Sequence, residues 1–131
     1  MGQVMTEVDA CHEHRAKRQT WCWKWVEEVL TGRVFNRRIQ AFRTLEECME
    51  LVQTQGLTKE DVIRQAEWTF SRPVGEVKEE VGGLLLSLYT LCENLGISAD
   101  GCEADEINRV KTLSHEKVQA KEAAKQAAGL L

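Results

Sequence analysis

The chain has 131 residues, enough for one domain that buries about two thirds of the surface its unfolded form exposes. Charged residues make up 29% and hydrophobic ones 43%, with a single proline, as in an ordinary helix-rich globular domain; the net charge of −4 lacks the basic footprint of a protein that binds nucleic acid duplexes. Five cysteines form no Cys-x-x-Cys pair, and the longest apolar stretch, near Leu84 to Leu86, is far too short to span a bilayer, so the expectation is reduced thiols, no membrane partner and a cytoplasmic location, in a bacterial cell or a phage-infected host.

In chain order, the first predicted helix runs from about Val8 to Leu30 and ends before Gly32. It carries the run Trp21, Trp23, Trp25, in which Trp21 and Trp25 share a helical face and are expected at a subunit interface. His12 and His14 have no spaced second pair to complete a zinc site and are read as a surface pair. The second helix spans about Phe35 to Thr54 and ends at Gly56, a C-terminal cap. Thr58 and Asp61 have the spacing of a capping box opening a third helix through Phe70. Pro73 and Gly75 then punctuate the chain, a fourth helix runs to about Asn94 before Gly96, and Ser98 caps a fifth that continues into the lysine- and alanine-rich tail.

Val77, Val81, Leu84, Leu88, Leu91 and Leu95 recur at spacings of three and four, as do Ile39, Phe42, Leu45, Met49 and Val52, which predicts a core face on the fourth and second helices. The expected fold is an all-α, antiparallel bundle of about four to five helices in a single domain. It comprises an N-terminal helix in 1–34, the acid-bearing helices in 35–97 and a C-terminal helix and tail in 98–131.

Glu46 and Glu50 fall on the edge of the second helix's apolar stripe, with Glu47 about 60° beyond Glu50. On the fourth helix Glu76 and Glu80 are four apart and Glu79 lies beside them. If the two stripes pack together, both clusters flank one groove, where like charges repel and lose hydration unless a cation lies between them. Hard divalent ions prefer such oxygen ligands, while a solvated acidic face is the competing reading.

The string LEECMEL (Leu45 to Leu51), followed by EEVGGLLLSLYTLCENLGI (Glu79 to Ile97), resembles the MazG-like all-α nucleoside triphosphate pyrophosphatases. That family carries Glu-Glu-x-x-Glu on one helix and Glu-x-x-Asp on a second, leading into an apolar run. Glu46, Glu47 and Glu50 match the first element, and Glu80 matches the glutamate of the second, whereas Gly83 stands in place of the aspartate. With the RPVGE segment (Arg72 to Glu76) and EVGG, the chain is similar to a phage-type branch, and the resemblance covers roughly residues 37 to 125.

The resemblance implies hydrolysis of a (d)NTP or a related nucleotide to monophosphate and pyrophosphate, with Mg²⁺, or Mn²⁺ as substitute, held mainly by Glu47, Glu50 and Glu80. Glu76, which lies on the same helical face, or Glu79 is able to supply the oxygen that Gly83 lacks, and Glu46 is either the general base or a residue that orients a ligand. Lys117 and Lys121, with Arg43 from the alternative cluster Arg37, Arg38 and Arg43, are the candidates for the phosphates; a solvated lysine face is the competing reading of the first two. It also implies a homodimer or tetramer that completes the bundle. The rival function is a non-catalytic nucleotide-binding or helical interaction protein on the same scaffold.

Overall fold

The computed structural model describes the backbone of residues 7–130 and the side chains of residues 14–130. It contains six α-helices and no strand among the described residues: α1 (Glu7–Val29), α2 (Arg37–Thr54), α3 (Lys59–Phe70), α4 (Val77–Leu95), α5 (Ala99–Val110) and α6 (His115–Ala127), with a single 3-10 turn, Arg33–Phe35, before α2. The all-α expectation therefore holds.

Local chemistry accounts for the helix ends. The Asn36 side chain accepts from the Ile39 backbone N–H at 3.0 Å, which starts α2 later than the apolar pattern predicts. Gly56 takes φ +84° and Gly96 φ +69°, a left-handed turn that side chains resist. After α4 the Ile97 N–H returns to the Cys92 carbonyl at 3.1 Å, closing the helix end. The expected capping box opens α3: Asp61 N–H donates to Thr58 Oγ1 at 3.2 Å, and Thr58 N–H donates to Asp61 Oδ2 at 2.9 Å. The predicted fifth helix is in fact two. Ser98 starts α5 as expected, but Ser114 accepts from the Lys117 N–H at 3.1 Å and starts α6 afresh.

The chain divides into two compact units, Met1–Leu45 with Leu113–Leu131, and Glu46–Thr112. In the first, α1 packs on the 3-10 turn and on α6. Val29, Leu30 and Ile39 are its buried apolar residues among those described, and Gln119 of α6 donates its side-chain N–H to the Val29 carbonyl at 3.1 Å. That bond satisfies one of the carbonyls that every helix C-terminus leaves without an intrahelical partner.

The second unit contains the end of α2 with α3, α4 and α5. Cys92 is its single buried residue among those described. Val77 is 78% exposed and Val81 54%, while Leu88 and Leu91 are half-buried, so the first turns of the stripe that predicts a core face on α4 are not covered within the second unit. No single described helix is long and apolar enough to cross a membrane.

Candidate functional site

On α2, Glu46 is half-buried while Glu47 and Glu50 are exposed, with Cys48, Leu51 and Val52 half-buried around them. On α4, Glu76 occupies the N-cap position with extended backbone and makes no side-chain capping bond, so helix closure does not engage its carboxylate. Glu79 and Glu80 lie in the first turn, where the positive end of the helix dipole favours acids whatever else they do.

Glu80 makes the first helical bond, its N–H donating to the Glu76 carbonyl at 2.9 Å. Its carboxylate turns back over the preceding loop. A Cβ placed on Gly75 would lie 2.1 Å from Glu80 Oε1, so the bare Gly75 backbone is what gives that carboxylate room. Around Gly83 the space is open, with nothing within 4 Å of an added Cβ. A side chain there would meet no obstacle, and its lack of an oxygen ligand is not imposed by packing within the chain.

Four glutamates have the donor chemistry of a site for a hard divalent ion. Among the described residues, however, no three metal-donor side chains gather closely enough to hold one. Among the described residues, α2 and α4 do not form an extensive helix–helix contact.

The basic candidates belong to the first unit and the acidic ones to the second. Arg43 is engaged: its Nη1 lies 3.9 Å from Glu122 Oε2, and Arg33 Nε lies 3.9 Å from Glu122 Oε1. Glu122 is 5% exposed, and its Oε1 has no hydrogen-bond partner. This buried acid was not foreseen, because Lys121-Glu122-Ala123 in an alanine-rich tail has the composition of a solvated face. Lys117 lies in the first turn of α6, where the dipole opposes a cation, and Lys121 is exposed one turn on.

Of the remaining arginines, Arg38 lies over the Phe42 ring at 5.0 Å and Arg72 over the Trp68 ring at 5.8 Å, as cation–π pairs. Trp21 and Trp25 are both half-buried, while Trp23 points elsewhere and meets Phe35 edge to face at 5.6 Å. An open groove of about 420 Å³ lies in the first unit, lined by Ala16, Lys17, Thr20, Trp21 and Lys24, with no candidate acid among them. His14 is exposed, and the side chains of Cys11 and His12 lie outside the described residues. Cys22, Cys48, Cys92 and Cys102 form no disulfide with one another, and of these four Cys92 alone is buried. Comparisons with protein-family models, curated proteins and solved structures find no match to this chain.

Proposed function

We propose that the chain is a divalent-cation-dependent nucleoside triphosphate pyrophosphatase, hydrolysing a (d)NTP or a related nucleotide to its monophosphate and pyrophosphate. What carries the reading is the sequence pattern that puts Glu46, Glu47 and Glu50 on consecutive turns of α2 and Glu80 in the first turn of α4. The uninvolved carboxylate of Glu76, one turn before Glu80, supports it. Glu47, Glu50 and Glu80, with Glu76, would hold Mg²⁺ or Mn²⁺. When bound, the ion would neutralise the phosphate oxygens and make water a better nucleophile.

In the reaction a water oxygen bonds to the α-phosphorus, the bond from that phosphorus to the bridging oxygen breaks, and pyrophosphate leaves with the electron pair. Glu46 would either accept the water's proton or orient a neighbouring carboxylate. Lys117 and Lys121 are the proposed phosphate contacts. Arg43 would join them only by sharing its guanidinium with Glu122.

Gly83 supports a second reading, a scaffold that binds nucleotide without turning it over, because glycine offers no oxygen where the resembled family places an aspartate. A pyrophosphate-release screen over ribo- and deoxynucleoside triphosphates, with Mg²⁺ and with Mn²⁺, separates the two when run beside binding calorimetry. Turnover abolished by Glu50→Gln supports the enzyme. Tight binding with no release of pyrophosphate, and release switched on by Gly83→Asp, supports the binding protein.

A further inference from the structure

One buried charge in the first unit is poorly satisfied. Glu122 is the buried side chain of α6 among the described residues, and its Oε1 has no hydrogen-bond partner. Two arginines approach it, Arg33 through Nε and Arg43 through Nη1, each at 3.9 Å. A charge-assisted hydrogen bond needs about 2.7–2.9 Å, so neither guanidinium closes on the acid. Glu106 and Arg109 show what closure looks like in this chain, with contacts of 2.5 and 2.9 Å. Glu122 is therefore stripped of water without a full replacement for it.

The arginines, by contrast, are held in place without α6. The Arg33 backbone N–H donates to the Leu30 carbonyl at 3.0 Å, and the Gln40 side chain donates to the Arg33 carbonyl at 3.1 Å. Arg43 lies on α2, one turn after the buried Ile39. Both guanidinium groups reach towards one carboxylate, so an oxyanion in its position would meet both. A phosphate suits that position better than the acid does. It has more oxygens and more charge, and guanidinium groups bind phosphates through parallel pairs of hydrogen bonds.

The helix that carries the acid is lightly attached. Its sequence, HEKVQAKEAAKQA, offers one large apolar side chain, Val118, which is half-buried. The bond from Gln119 to the Val29 carbonyl at 3.1 Å adds a polar tie.

We propose that Glu122 is an internal substitute for a phosphate: α6 presents it to Arg33 and Arg43, and an incoming phosphate oxyanion displaces it and loosens α6 from the first unit. All three residues belong to that unit. Arg43 is already a candidate for the substrate's phosphates; Arg33 joins it as a partner, and Glu122 competes with the anion for both. The competition holds whether or not the chain hydrolyses nucleotides. It also weakens the apparent affinity for the anion, in proportion to the fraction of molecules whose arginines are uncovered.

Hydrogen exchange of the full chain tests it, with inorganic pyrophosphate as the probe. Divalent ion and nucleotide are left out, so the outcome is separate from that of the pyrophosphatase assay. Pyrophosphate should speed exchange of the α6 amides about tenfold or more, whereas chloride at equal ionic strength should not. In calorimetry, pyrophosphate should bind Glu122→Gln at least about tenfold more tightly than the wild type. It should bind Arg33→Gln at least about tenfold more weakly. Where the variants fail to fold, exchange on the wild type decides alone. Amides of α6 unchanged or slowed by pyrophosphate, equal acceleration by chloride, or a folded Glu122→Gln that binds no tighter than the wild type would each overturn the proposal.

Discussion

At the scale of single residues, Glu122 shows how much a buried charge depends on its surroundings. Its two arginines stand 3.9 Å away, close enough to offset charge but too far for a hydrogen bond, and each is about a quarter exposed. Removing one of the two arginines leaves the buried charge with only the other to offset it, whereas an apolar isostere of the acid can be almost neutral. Arg43→Ala should therefore cost about 2 kcal/mol of unfolding free energy, scaled down from the fully buried case, and Glu122→Met should cost less. Denaturant titration of the two variants decides the order. Position 83 makes a separate forecast about chemistry. Because the space around it is open, Gly83→Asp should fold normally. If Glu76 has taken over as ligand, Glu76→Gln should lower pyrophosphate release about 10- to 100-fold, with Gly83→Asp restoring part of the loss. A Glu76→Gln variant with wild-type turnover would remove Glu76 from the ligand set.

Among the elements, those governed by local chemistry were legible before any coordinates. Thr58 with Asp61, Gly56, Gly96 and Ser98 act on backbone groups within a few residues, so spacing alone locates them. The break between α5 and α6 was missed because Ser114 stands in an otherwise helix-compatible stretch, and a capping serine differs from a tolerated one only through the bond it makes. The stripe on α4 was read correctly as apolar, but periodicity says that a face is to be covered and not by what. The four glutamates were legible as a pattern; whether they gather around an ion depends on packing that no spacing encodes.

The capping box also carries a pH dependence. The Thr58 backbone N–H, then the Thr58 hydroxyl, then Arg64 hold the Asp61 carboxyl below its ordinary value of 3.8. A depressed folded-state value means that stability is fully present above the unfolded value and is lost as pH falls through the folded one. Asp61→Asn should accordingly flatten the acid limb of the stability profile below about pH 4. Thr58→Ala should lower stability by about 1 kcal/mol at neutral pH, both measured by thermal melts across pH.

For the whole molecule, charge is unevenly divided. Residues 46–112 hold fourteen acidic and six basic side chains, although the full chain is only −4. Like charges concentrated in one unit repel one another, so raising monovalent salt should raise the melting temperature. Thermal melts at low and high ionic strength check the sign. Divalent ions address a different property. If Glu47, Glu50 and Glu80 share one ion, millimolar Mg²⁺ should raise the Tm by binding the native state alone. The rise should vanish in Glu50→Gln and persist in His14→Ala. A Tm unmoved by the ion, with and without nucleotide, would weigh heavily against the metal site.

The bond from Gln119 to the Val29 carbonyl joins residues ninety positions apart. Everything between them must be synthesised before α6 can reach α1. At about 5–20 residues per second that interval lasts several seconds or longer. Closing so long a loop also carries an entropic cost of about 4 kcal/mol beyond a fixed constant. During translation, Val29 and Leu30 are therefore without their α6 partner, and the first unit assembles around its last-made helix. A ribosome stalled shortly before His115 should display a protease-sensitive α1, and release of the finished chain should protect it.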